Sequence, residues 1–255
     1  MLERFSLEGR IAFVTGASRG LGRALALALA EAGATVAVAG RDEDALGVTA
    51  TCIRERGRNA SVHAFDVRDT RATADAVTSV ADRWGRLDIL VANAGISIRR
   101  PLEEHTIEAW REVIDVDLTA CFVLGREAGL IMKEAGYGRL VFIASIMGTR
   151  LSRPTIPGYS AAKAGIEGLT RSFAVELGPF GVTSNAIAPG FFKTEMNRPL
   201  LEDPEVDSKV RSRVALRRWA EPDELAGAAV FLASHASSYV TGQTLLVDGG
   251  VTVSW

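Results

Sequence analysis

Ile11-Ala12-Phe13-Val14-Thr15-Gly16-Ala17-Ser18-Arg19-Gly20-Leu21-Gly22 is the stretch from which the fold is read. Its first five residues are apolar or β-branched and do not alternate with polar ones, as in a strand buried on both faces. Glycines follow at 16, 20 and 22, and an Ala/Leu-rich helical stretch over 21–32 begins at once. Bare backbone in such a turn lets N–H groups approach an anion, and the positive end of the helix dipole favours charge there. Strand, glycine turn and helix in that order point to a dinucleotide pyrophosphate. The spacing is G-x-x-x-G-x-G rather than the commoner G-x-G-x-x-G, and no Gly-Lys-Ser/Thr follows, which excludes a P-loop.

Outward from this unit the alternation repeats. Further strands are predicted at 35–39, 61–65, 87–92, 140–144, 182–187 and 244–247. Helices are predicted at 42–56, 70–84, 106–133, 159–177 and 223–233. Strands alternating with helices imply βαβ units, hence one doubly wound α/β domain over 1–255, a parallel sheet with helices on both faces. Residues 190–220 hold Pro199, Pro204 and several charges. They fit neither element and predict a lid-like insertion.

The chain has 255 residues, a net charge of -2, 47% hydrophobic and 24% charged residues. That length buries a full core without staples. The near-neutral balance argues against a nucleic-acid or membrane-surface binder. Cys52 and Cys121 are too few for a disulfide framework and are read as reduced thiols. Residues 1–6 lack an apolar leader core and no run of 18 apolar residues occurs, so a cytoplasmic protein is expected. No metal is expected in the site.

Open parallel sheets bind ligands beyond the C-terminal ends of their strands. At the second strand end stands Ala39-Gly40-Arg41 in place of the acid that reads NAD ribose, so guanidinium recognition of a 2′-phosphate is expected, with Arg19 approaching the same group. NADP(H) is therefore preferred over NAD(H). Asp42 is read as the cap of the next helix. Asp66-Val67 ends the third strand, where a carboxylate can accept from an adenine amino group. Asn93-Ala94-Gly95 ends the fourth as a flat loop suited to a ribose.

Tyr159 and Lys163 stand four residues apart and share a helix face. A nearby ammonium favours phenolate, which lets a tyrosine exchange protons near neutrality. Ser145, at the fifth strand end, can bond the same substrate oxygen. Two pairs of arginines, Arg99-Arg100 and Arg150 with Arg153, suit an anionic substrate if they face the pocket.

Together these pieces resemble the short-chain dehydrogenase/reductase family over nearly the whole chain. The matching motifs are 15–22, Asn93-Ala94-Gly95, Ser145, Tyr159-x-x-x-Lys163, Pro189-Gly190 and Asp248-Gly249-Gly250. The resemblance implies a single Rossmann domain with a seven-stranded sheet and a homotetramer that covers the apolar tail ending at Trp255. It implies that Tyr159 is the general acid/base, Lys163 its ribose-binding partner and Ser145 the carbonyl polariser. Gly16, Ser18, Gly20, Leu21, Gly22, Pro189, Gly190, Phe192 and Thr194 would complete the cofactor site. Val116-Asp117-Leu118-Thr119 puts Asp where the family has an Asn that holds a relay water, so Asp117 is expected one water from Lys163. The Ser-to-Tyr spacing is one residue longer than in many relatives. Residues 115–122 and 144–148 are similar to gluconate 5-dehydrogenases within the family, which favours a sugar acid or polyol. A 3-oxoacyl-carrier-protein reductase and a non-catalytic NADP-binding regulator are the alternatives.

Overall fold

The fold is that of a computed structural model, which describes residues 2–254. Among those residues seven strands form one sheet: β1 (Ile11–Thr15), β2 (Thr35–Gly40), β3 (Ala60–Ala64), β4 (Ile89–Ala92), β5 (Gly138–Ile143), β6 (Val182–Pro189) and β7 (Thr244–Val247). They lie in the order β3-β2-β1-β4-β5-β6-β7, and every neighbouring pair is parallel. The connections supply α1 (Gly20–Glu31), α2 (Glu43–Glu55), α3 (Thr70–Trp84), α4 (Ile107–Ile114), α5 (Ala120–Ala135), α6 (Ile146–Thr149), α7 (Pro157–Leu177), α8 (Arg198–Leu201), α9 (Pro204–Arg213) and α10 (Ala226–Ala233).

Successive side chains of a strand point to opposite faces, and here both faces are covered. Ala12 and Val14 of β1 and Val141 of β5 pack with Leu25 and Leu29 of α1, Ile53 of α2 and Leu232 of α10. Phe13 and Phe142, on the same two strands, face Val77 of α3, Leu124 of α5 and Ile166 and Phe173 of α7. Double coverage explains why these strands read as unbroken apolar runs. Each large side chain buried this way contributes about 1.5–3 kcal/mol. The order of strands reverses between β1 and β4, and the crevice opens there.

Several helices start on a side-chain cap. Asp42 accepts from Ala45 N at the start of α2, Asp69 from Arg71 N and Ala72 N at α3, Thr106 from Ala109 N at α4, and Asp203 from Glu205 N at α9. Helix α1 has no such cap.

Two expectations need correction. Residues 106–133 do not form one uniform helix: α4 passes into a π turn at Asp115–Thr119 and then α5. Helical backbone on both sides keeps the axis going, while the wide turn shifts its register. The helix predicted at 223–233 splits into a 3₁₀ turn, Pro222–Leu225, and α10.

The 190–220 segment is ordered rather than loop-like. Helices α8 and α9 wrap an apolar cluster of Leu200, Val210, Val214 and Trp219, joined by Ile146 and Val251. Its neck is closed by Lys193 N donating to Ala220 O and Ala220 N to Phe191 O, both at 2.9 Å.

Candidate active site

A cleft of about 940 Å³ lies over the C-terminal ends of β1 to β6, within the size range of small-molecule and cofactor sites. The glycine turn forms its floor. A Cβ on Gly22 would stand 2.1 Å from Gly16 O and 2.4 Å from Asn93 Nδ2, so no side chain fits where α1 begins. Asn93 is largely spent on the protein itself. Its Nδ2 donates to Thr15 O at 3.0 Å, and its backbone N to Thr15 Oγ1 at 3.1 Å. Asn93 thereby stitches the β4 end to the turn after β1.

At one end of the cleft Arg41 follows Gly40 and Asp66 follows β3. The Asp66 carboxylate is already engaged by Arg68, whose NH2 group lies 2.6 Å from Oδ2, and this pairing holds its carboxyl below the ordinary value. Arg19 reaches across the mouth to Glu195, which lies just past Thr194, with 2.7 Å between NH1 and Oε2.

At the other end Tyr159 and Lys163 line the cleft from the first turns of α7. Lys163 Nζ donates to Ile143 O at 3.0 Å and lies 5.5 Å from the Tyr159 ring centre. Asp117 is fully buried in the π turn, and its Oδ2 lies 3.2 Å from Lys163 Nζ. The expected bridging water is replaced by direct contact. Asp117 Oδ1 accepts from Ile96 N at 2.8 Å. Burial is the largest single influence and works against the Lys163 ammonium; the Asp117 carboxylate first, then Tyr159 and Cys121, together outweigh it and hold that ammonium above its ordinary pKa, while burial pushes the Asp117 carboxyl up against the pull of Lys163 and Ile96 N. Ser145 Oγ accepts from Met147 N at 3.1 Å, which leaves its O–H to donate.

The arginines divide. Arg99 and Arg153 line the cleft with Tyr159. Burial first, and then the like charge of Arg153, hold the Arg99 guanidinium below its ordinary value. Arg99 also donates to Asn197 Oδ1 at 3.3 Å. Arg150, expected to meet substrate, is exposed at the end of α6, donates to Thr149 O and lies off the cleft lining. Arg100 is likewise exposed and off the lining, its backbone N donating to Thr155 O.

A family model described as enoyl-(acyl carrier protein) reductase matches residues 16–252. The gluconate 5-dehydrogenase of Gluconobacter oxydans is 42% identical over 98% of this chain and 97% of its own. A 3-oxoacyl-[acyl-carrier-protein] reductase of Vibrio harveyi is 38% identical over 96% and 98%. The crystal structure of a gluconate 5-dehydrogenase from Burkholderia cenocepacia, in complex with NADP and tartrate, superposes with a TM-score of 0.96 at 39% identity, covering 100% of this chain and 99% of that one. The chain belongs to the short-chain dehydrogenase/reductase family.

This short-chain dehydrogenase/reductase is an NAD(P)-dependent oxidoreductase acting on CH–OH groups. Its residues fit the cofactor. The N-terminus of α1 lacks a side-chain cap and opens onto the cleft, so its amides are left for a pyrophosphate. The dehydrogenase brings the glycine turn, Arg41, Asp66-Val67, the 93–95 loop, Pro189-Gly190, Phe192 and Thr194 to one lining. Sequence reasoning passed over Arg68 and Glu195. Arg68 stands two residues past a strand-end carboxylate, which was a readable signal; Glu195 finds Arg19 only through the folding of the 190–220 segment.

Proposed function

We propose that this dehydrogenase interconverts a secondary hydroxyl and a ketone of a small sugar acid, with NADP(H) preferred as hydride carrier. The observation that carries the reading is the pair of guanidinium groups, Arg99 and Arg153, in the cleft beside Tyr159. Two fixed cations suit a carboxylate and orient the carbinol next to it. The bound cofactor supplies a hydride acceptor at its nicotinamide ring. Tyr159 Oη takes the hydroxyl proton during oxidation and returns it during reduction. Ser145 donates to the same oxygen, and Lys163 keeps positive charge beside the developing phenolate. Arg41, with Arg19, favours the 2′-phosphate, and the NADP held by the Burkholderia relative supports that preference. The 190–220 segment acts as a lid, its Thr194 and Glu195 edging the cleft.

The Vibrio relative keeps a 3-oxoacyl thioester in contention. A panel of gluconate, 5-ketogluconate and a β-ketoacyl thioester with both cofactors decides between them. Turnover of the sugar acids is expected, and Arg99→Ala should raise their KM about tenfold or more, a charge-assisted hydrogen bond being worth roughly 1.5–3 kcal/mol. Turnover confined to the thioester overturns the reading; none with any substrate favours a cofactor-binding regulator.

A homotetramer in the cytoplasm completes the proposal. The thiols Cys52 and Cys121 are unpaired, which supports a reducing compartment. Of the C-terminal tail, Val251 is buried in its own chain and Val253 is exposed, while Trp255 lies outside the described residues. Apolar side chains also stand out on the α4–α5 face at Trp110, Phe122 and Leu130.

A further inference from the structure

We propose that Asp117 is a positioning residue: it keeps Lys163 charged and in place, and ties it to the backbone of the 93–96 loop. The inference rests on Tyr159 and Lys163 being the reacting end of the cleft. Both members of the ion pair lie in the protein interior, Asp117 at 0% and Lys163 at 4% exposure. A charge so placed persists only with a partner. Asp117 uses its two oxygens for different partners, Oδ1 for Ile96 N at 2.8 Å and Oδ2 for the ammonium at 3.2 Å. Oδ2 has no hydrogen bond of good alignment, so its contact with Lys163 is one of charge. The loop presses on the pair from above: a Cβ on Gly95 would stand 3.1 Å from Asp117 Oδ2 and 3.3 Å from Lys163 Nζ. That close approach keeps water from the pair and couples its geometry to the loop lining the cleft.

The π turn is what aims Asp117 inward. One additional residue in the turn rotates the following helix relative to the preceding one, which sets Asp117 toward α7 while Ala120 and Leu124 keep their places in the core. π turns inside α-helices often occur at functional sites.

The groups facing Lys163 are few. Asp117 faces it from the π turn, Tyr159 from its own helix and Cys121 from α5. Burial pushes the Cys121 thiol up to about 12, so it brings no negative charge in the working range. On the far side of Tyr159 stand Arg99 and, beside it, Arg153, both cationic. Without Asp117, burial acts to discharge Lys163 and the strongest opposing charge is gone. The tyrosine would then lose its ammonium at the alkaline pH where alcohol oxidation needs the phenolate.

The chain has four lysines, Lys133, Lys163, Lys193 and Lys209, so the protein labelled with [13Cε]lysine gives a spectrum in which the Lys163 signal is assigned by its loss in Lys163→Met. In the wild type that signal should not titrate below pH 10.5. In Asp117→Asn it should titrate below pH 10, and NADP+-linked oxidation of gluconate should fall between pH 8 and pH 10 as the lysine discharges, by up to about a decade per pH unit beyond its midpoint, while the wild-type rate holds level. At pH 7 Asp117→Asn should lose less rate than Asp117→Ala, since an amide can still meet one partner. A wild-type Lys163 that titrates below pH 10.5 overturns the proposal even if neither variant folds, as does an Asp117→Asn profile superimposable on the wild type. If the Lys163 signal behaves as stated but Lys163→Met oxidises gluconate normally, the assignment of Lys163 to the reacting end fails instead.

Discussion

Removing the Tyr159 hydroxyl and keeping its ring takes away the proposed proton carrier and leaves the packing of α7 in place. Tyr159→Phe should therefore lower kcat by about 10²–10⁴, with the dissociation constant for NADPH nearly unchanged when followed by nucleotide fluorescence. A variant that keeps half of the wild-type rate would remove Tyr159 from proton transfer. Arg41 has a different signature. It stands exposed just past the end of β2, and the proposed proton transfer at Tyr159 does not involve it. Arg41→Ala should weaken NADPH by roughly 1.5–3 kcal/mol, the worth of a charge-assisted contact, and leave NADH almost untouched; equal losses would sink the 2′-phosphate assignment. Arg68 lies in the same corner, but its guanidinium is held by Asp66. Its removal should cost both nucleotides alike.

At the scale of elements, the floor of the cleft depends on the meeting of β1, α1 and β4. Gly22→Ala forces a methyl against Gly16 O and Asn93 Nδ2. Neither atom can move freely, because Asn93 Nδ2 is also bonded to Thr15 O. The expected result is loss of cofactor binding measured by calorimetry, accompanied by a lower Tm. The Arg19–Glu195 pair joins this floor to the 190–220 segment. Both side chains are largely exposed, so the pair itself adds at most about 1 kcal/mol. Glu195→Gln should free Arg19 for a phosphate and tighten NADPH modestly without changing NADH; weaker NADPH binding would contradict that. These elements also show what the sequence could and could not reveal. The strands and most helices were legible because burial on both faces leaves unbroken apolar runs and because Asp42 announces its helix. The π turn was not, since residues 115–119 keep helical spacing and only the inward aim of Asp117 gives the turn a purpose. Arg150 and Arg153 looked equivalent in the chain. The fold separates them, as the backbone leaves helical geometry at Met147 and Gly148 and sends Arg150 to solvent. The direct Asp117–Lys163 contact was out of reach for the same reason as Glu195, because both depend on how close distant segments come.

At the scale of the whole molecule, the cleft lies at the strand ends and apolar side chains stand exposed elsewhere. Trp110, Phe122 and Leu130 are 41%, 49% and 45% exposed, an arrangement suited to burial between subunits. Sedimentation should find a tetramer at micromolar concentration; a stable monomer would contradict the proposed assembly. Trp219 belongs to the opposite class, an indole closed off from solvent. It is 1% exposed, its Nε1 donates to Asp207 Oδ1 at 2.8 Å, and its ring meets Phe191 edge-on at 5.2 Å between centres. Phe191 in turn borders the cleft. A dry indole emits at short wavelength, in the band where reduced nicotinamide absorbs, so the molecule carries an optical gauge of its own occupancy. Exciting the four tryptophans during a titration with NADPH should transfer light to the nucleotide, and Trp219→Phe should dim the transferred signal while the nucleotide still binds.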